Sequence, residues 1–323
     1  MSVYNTGTEA LPPFNSAAKG DIVLRSSDAV HFRVFRCLLA LASPFFDAMF
    51  DLPQPQPATV HGRTTLVGDL DVIPMTENGR TVDAMLRYCY PAASVPLPAL
   101  ETLEDVEQVL EGAIKYGMEG VEQQIRKLLV SPRFLDAQPL HVFAIATRLA
   151  LEPEARLAAR HLLQAPLPLP LPKARAGNEI QRGTVLPAAD LARLHKYRAR
   201  CTHAAQTLLA NLASAGPRLA QSYAFYQWWT AACACPTRSD ARAAGYMMHG
   251  TYARAWWADW LDGVRDALAE APCGATAGRD VDKVVEERCA ACPRCRRKAH
   301  AAVSEFASAL AGEIDRAVEQ VEL

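Results

Sequence analysis

The run "DIVLRSSDAVHFRVFRCLLALASPFFDAMF" (21–50) changes its hydrophobic period in mid-course, and that change limits the architecture more than any other feature of the chain. DIVLR and HFRVF are rich in β-branched and aromatic residues, and SSDA between them supplies turn chemistry, so the stretch predicts a two-stranded hairpin. RCLLALA (36–42) is too rich in Leu and Ala for a third strand and predicts a short helix. Ser43 followed by Pro44 is the combination expected at an N-cap and the first helical position, so a second helix starts there. On it Phe45, Phe46, Met49 and Phe50 fall along one side, a face expected to serve chiefly as core. Pro53, Pro55 and Pro57 end the helix, because proline lacks the amide a helix interior requires.

A hairpin that runs straight into apolar helices must bury itself against them, which predicts a small sheet packed on a helix cluster, an α+β domain. The following residues agree. "TTLVGDLDVIPM" (64–75) is a further β-rich stretch, and "GRTVDAMLRYCY" (79–90) places Val82, Met85, Leu86 and Cys89 at helical spacing. Thr102 opens "LEDVEQVLEGAIKYG", whose Leu103, Val106, Leu110 and Ile114 recur at steps of three and four, with Gly117 as its stop. "MEGVEQQIRKLL" (118–129) repeats the pattern, and the short join makes the two an antiparallel hairpin.

The remaining chain divides by composition. Residues 1–19 are expected to be a disordered tail, 20–131 the α+β domain, and 132–164 a helical extension with helices near 138–150 and 153–164. "APLPLPLPKARAGNEIQRG" (165–183) alternates Leu and Pro before turning polar, so 165–187 reads as a proline-rich linker. From Ala188 to Leu323 the pattern is mostly α-helical. Leu191, Leu194, Cys201, Ala205, Leu208 and Leu212 form a stripe suited to a core face or a short helix–helix seam. Trp256, Trp257 and Trp260 are expected in the core of this second domain; "YAFYQWW" (223–229) lacks the interleaved Lys and Arg of a single-strand binder.

The formal net charge of −1 gives no chain-wide basic field, so nucleic acid is not an expected partner. No apolar run reaches the roughly 18 residues a membrane helix needs. The first twenty residues lack a basic start followed by an apolar stretch, so no secretory signal is expected, and nine cysteines then point to reduced thiols in the cytoplasm or nucleus. Catalytic signatures are missing: there is no glycine-rich phosphate loop, no G-x-S-x-G, no H-E-x-x-H and no evident carboxylate pair. Cys37 and Cys89 fall on apolar helix faces and are expected to be buried. No enzyme activity is expected.

The densest chemical feature is "CAACPRCRRK" (289–298) together with "CAC" (233–235). Zinc takes about four thiolate or imidazole ligands in a tetrahedron, and C-x-x-C with Pro after the first Cys is a common half-site. Cys292 and Cys295 form one half and Cys233 and Cys235 the other, with Cys201 and Cys289 in reserve. His203 cannot replace Cys201, since two residues along a helix is about 200° around its axis. The alternative is reduced thiols beside a helix turn. The adjacent basic run Arg294, Arg296, Arg297 and Lys298, preceded by Glu286 and Glu287, is expected to be a solvated face.

The first domain resembles a BTB/POZ domain. Asp21 opens the first strand, Phe32 and Val34 lie in the second, and Ser43, Phe46 and Phe50 stand where that family has Ser-x-x-Phe-x-x-x-Phe. "DAMLRYCY" resembles the family's later Leu-rich helix ending in Tyr, and "ALETLEDVEQVLEGAIKYGMEGVEQQIRKLL" its closing helix pair. "SPRFLDAQPLHVFAIATRLALEPEARLAARHLL" (131–163) looks like the extension that often follows, and the whole chain is similar to a group of fungal BTB-domain proteins. The resemblance implies a non-catalytic protein–protein interaction module that self-associates as a homodimer. Such a module is expected to present the helical C-terminal domain to a protein partner. It also places Asp21 and Arg36 at positions of the charged pocket of transcription-factor BTB dimers, where a bidentate pair acts either as a staple within the fold or as a recruitment surface. Phe35 departs from the His often found before that Arg. Two other readings follow from the same likeness: a substrate adaptor of a cullin-type ubiquitin ligase, and a transcriptional regulator. The loop "DLPQPQPATVHG" lacks the apolar-x-Glu element that such adaptors tend to carry.

Overall fold

The computed structural model describes residues 8–52, 66–67, 70–91, 95–166, 186–212, 219, 235–238, 247–248, 251–279, 281–283, 286 and 292–323. The chain forms two compact units whose boundary falls between Ala155 and Arg156. Residues 132–155 belong to the first unit and 156–164 to the second.

In the first unit β2 (Ile22–Arg25) is central, antiparallel to β3 (Val30–Val34) and parallel to β5 (Leu70–Pro74), which in turn pairs with the short β4 (Leu66–Val67). A strand with neighbours on both sides and both faces covered reads as a continuous apolar run, and Ile22, Val23 and Leu24 are all buried. The turn between β2 and β3 is held by the Ser26 hydroxyl, which donates to Asp28 at 2.6 Å and accepts from the Val30 amide at 2.9 Å. The Ser26 hydrogen bond is the largest influence on the Asp28 pKa and lowers it, joined by the Gly79 amide at 2.8 Å.

The N-terminal segment departs from the disorder expected of 1–19. From Thr8 it is part of the sheet: β1 (Thr8–Glu9) pairs in parallel with β3, the Ala10 amide donates to His31, and the Arg33 amide donates to the Phe14 carbonyl at 2.8 Å. Phe14 is buried against Phe32 and edge-on to Tyr90. The cause is the far edge of β3, whose amides and carbonyls need partners that the segment supplies.

Helices α1 (Arg36–Ala42) and α2 (Pro44–Asp51) follow the hairpin as expected. Ser43 caps α2, accepting from the Phe46 amide at 3.2 Å while its hydroxyl donates to the Tyr116 carbonyl. α3 (Gly79–Cys89) is capped by Asn78, and α4 (Leu103–Lys115) by Thr102. Gly117 lies at φ 63°, the left-handed conformation that ends a helix at little cost for glycine, and α5 (Glu119–Leu129) starts just beyond it. α6 (Pro132–Leu135) and α7 (Pro139–Arg148) complete the unit together with the start of α8 (Glu152–His161), where Arg126 grips the Glu154 carboxylate with two bonds of 2.9 and 3.0 Å.

The second unit is built on long helices, α9 (Ala188–Ala210), α10 (Ala255–Glu270) and α11 (Pro293–Glu319). The buried stripe of α9 runs through Leu194, Tyr197, Cys201, Ala205, Leu209 and Leu212, so Leu209 takes the place expected of Leu208. Trp256, Trp257 and Trp260 are core residues, as expected, with Trp257 and Trp260 packed on Phe306 of α11. A two-residue hairpin, β6 (Met247–Met248) with β7 (Thr251–Tyr252), interrupts the helices. None of the helices described is long and apolar enough to cross a membrane.

Candidate functional site

The aromatic run of α2 divides its labour. Phe46 is 0 % exposed. Its ring is stacked between Phe50 and Tyr116 and meets Phe45 edge-on. Phe45, one step along, is 49 % exposed, and Leu41 at the end of α1 is 86 % exposed. Leu52 and Phe35 are also exposed. The α1–α2 corner thus carries core on its inner side and an apolar surface on its outer side, more surface than a purely core reading of the run allows. Cys37 on α1 is exposed, contrary to expectation. Cys89 is half-buried, and desolvation raises its thiol pKa to about 12, which keeps it protonated and unreactive.

Asp21 and Arg36 do come together, but not as two side chains. Asp21 Oδ1 accepts a hydrogen bond from the Arg36 backbone amide at 2.7 Å, and the Tyr90 hydroxyl accepts one from the Phe35 amide at 3.0 Å. The first amides of a helix have no partner within it, and α1 obtains these two from distant parts of the fold. The Arg36 guanidinium points to Asp71 of β5 instead, at 2.6 Å, with side-chain exposures of 33 % and 58 %. It also lies over the Phe50 ring, 5.6 Å from its centroid. The expected bidentate Asp21–Arg36 pair is therefore replaced by a carboxylate-capped helix start and a neighbouring Arg36–Asp71 pair. Sequence reasoning missed Asp71 because spacing along the chain does not tell which strand lies beside the guanidinium.

A polar cluster buttresses the same unit behind Phe46. Tyr116 Oη donates to Glu77 at 2.6 Å and Lys115 Nζ donates to it at 2.9 Å. Burial works to raise the Glu77 pKa, but hydrogen bonds from Tyr116, Lys115 and Thr76 outweigh it and the net direction is down. His141 on α7 is buried, and desolvation lowers its pKa so that it is neutral.

Residues 13–132 match the family model described as BTB/POZ domain. Residues 13–132 are a BTB/POZ domain. Such domains are protein-interaction modules that commonly self-associate, and the family is generally non-enzymatic. The match begins just before Phe14, in keeping with the order found there. Among curated proteins, none matches the chain. The loop in which a cullin adaptor's apolar-x-Glu element was sought lies, from residue 53 to 62, outside the described residues.

In the second unit Cys235, Cys292 and Cys295 gather, their sulfur atoms all within 4.8 Å of one another. Cys295 is buried and the other two are half-buried. Of the other thiols considered from the sequence, Cys233 and Cys289 lie outside the described residues. Cys201 is buried within the α9 stripe, its thiol pKa pushed up by desolvation, and is no part of this group. The side chains of Arg294, Arg296, Arg297 and Lys298, and the segment 223–229, also lie outside the described residues.

Proposed function

We propose that the protein is a non-catalytic scaffold that pairs with a second copy of itself through the BTB/POZ domain and presents its C-terminal helices to another protein. The observation that carries this reading is the apolar outer side of the α1–α2 corner, where Leu41 and Phe45 project into solvent on a domain of a self-associating family. Burying one such side chain contributes roughly 1.5–3 kcal/mol, and a two-fold axis through an apolar patch brings like against like. The test is sedimentation equilibrium of the full chain. A dimer is expected, and Leu41→Lys, which removes no core contact, is expected to raise its dissociation constant by at least about tenfold. A wild-type chain that stays monomeric, or a dimer indifferent to both Leu41→Lys and Phe45→Lys, overturns the proposal.

A further inference from the structure

We propose that Cys235, Cys292 and Cys295 bind one zinc ion that ties α11 to the segment preceding α10. The spacing of the sulfurs is the first argument. Thiolates about 2.3 Å from a tetrahedral zinc lie about 3.8 Å from one another. Cys235 Sγ and Cys295 Sγ are 3.6 Å apart, and all three sulfurs fall within 4.8 Å. A disulfide needs about 2.05 Å, so the group has the span of a metal site and not of a crosslink.

The second argument is how the ligands are held. Cys292 is the N-cap residue of α11 and Pro293 is its first helical residue. In this arrangement the N-cap and N3 side chains converge at the helix end, the geometry by which a capping box closes; here the two positions are Cys292 and Cys295. Both thiols sit at the N-terminal end of a long helix, the positive end of its dipole, which favours negative charge there.

Cys235, 60 positions before Cys295, is positioned independently. Thr237 bridges to Arg254, the Arg238 amide donates to the Ala253 carbonyl at 3.1 Å, and the Ala255 amide donates to the Pro236 carbonyl at 2.9 Å. Arg254 Nη1 donates to the Cys235 carbonyl itself at 2.8 Å. Arg238 then binds Asp259 and Asp262 of α10, at 3.1 and 2.5 Å. Two elements far apart in the chain are thus each built to deliver a thiol to one point.

On binding, each thiol gives up its proton to solvent and coordinates as thiolate. A tetrahedral ion takes one ligand more than these three, a further thiol or a water molecule. The site is structural in kind, a clasp inside the second unit, and it stands apart from the self-association proposed for the first.

The experiment is metal analysis of the full chain, purified without chelator, then cobalt substitution followed by visible absorption. About one zinc per chain is expected, together with the intense visible bands of tetrahedral cobalt thiolate. Loss of outer-shell partners alone weakens metal sites 10–100-fold, so Cys235→Ser and Cys295→Ser are each expected to weaken zinc by more than about 100-fold, and Cys37→Ser to leave it unchanged. Should a serine variant fail to fold, the wild-type chain still decides the matter, because chelation is expected to lower its melting temperature and added zinc to restore it. A chain that takes up no zinc or gives only weak octahedral cobalt bands overturns the proposal. So does zinc retained in both serine variants, or a Cys235–Cys295 disulfide in the native protein.

Discussion

The two units solve the same problem, the unsatisfied ends of helices, in different ways. In the BTB/POZ unit α2, α3 and α4 are capped locally: Ser43, Asn78 and Thr102 each accept an amide hydrogen bond three residues on. In the second unit the ends of long helices are met from a distance by arginines. Arg198 on α9 donates to the carbonyls of Leu162, Ala165 and Glu270, the last residue of α10. Arg156 likewise donates to the Glu319 carbonyl at the end of α11, at 2.7 Å, and to Val321 at 3.1 Å. Local caps are written in neighbouring residues and guide each helix as it forms. Arginine clamps act only once the helices have met, so the second unit depends more heavily on assembly. Helices α2, α3 and α4 are thus specified one by one, and the long helices of the second unit as a set.

The chain offers a clean way to break this comparison. All five tryptophans, residues 228, 229, 256, 257 and 260, lie in the stretch of sequence assigned to the second unit, and Trp256, Trp257 and Trp260 are in its core, so tryptophan fluorescence reports on that unit while circular dichroism follows both. The largest effect is expected for Phe46→Ala, which empties the aromatic stack with Phe50 and Tyr116 and costs about 3–5 kcal/mol. Denaturant unfolding by circular dichroism should show an early transition that the tryptophan signal does not share; two signals lost together would mean that the units unfold as one. Next is Gly274→Ala. A Cβ at Gly274 would lie 2.4 Å from the Ala311 backbone carbonyl of α11, and the Gly274 amide donates to Asp315 at 2.7 Å. A loss of about 1–3 kcal/mol should move the tryptophan transition and leave the early circular-dichroism phase of the Phe46→Ala background in place.

The smallest effect is the pH dependence of the BTB/POZ unit. Glu77 and His141 both have folded pKa values below their unfolded ones, so the unfolded chain takes up protons first as the solution is acidified. The stability they contribute is present above the unfolded values and falls with pH, below about 6.5 for His141 and below about 4.3 for Glu77. Thermal melts between pH 8 and 5 should flatten in His141→Gln, and the part below pH 5 should flatten in Glu77→Gln. An unchanged slope in either variant would assign the acid sensitivity elsewhere.

The BTB/POZ unit was largely legible because its signals are local. The β2–β3 hairpin, the Ser43–Pro44 start of α2, the Thr102 cap and the Gly117 stop each lie within a few residues of the element they define. The candidate sites were legible only by residue type. Cys292 and Cys295 could be paired with each other from their spacing, since a helix start fixes their geometry. Their meeting with Cys235 depends on where the Pro236–Arg238 segment lies against Arg254. Asp21 accepts from the Arg36 amide, but the partner of the guanidinium is set by the parallel pairing of β2 with β5, which brings Asp71 alongside.

What the sequence by itself determined is the identity of the elements, because period, caps and breakers act over one or two turns of chain. It also marked Phe46 as core, since the run supplies four apolar groups to one face. Only the tertiary structure decided that Phe45 and Leu41 stay in solvent, that the segment around Phe14 closes the edge of β3, and that α1 draws its cap from Asp21 and Tyr90. These are pairings between groups far apart in the chain. Their energy depends on distance in space, and no local pattern encodes which of several equivalent carboxylates, hydroxyls or thiols will arrive.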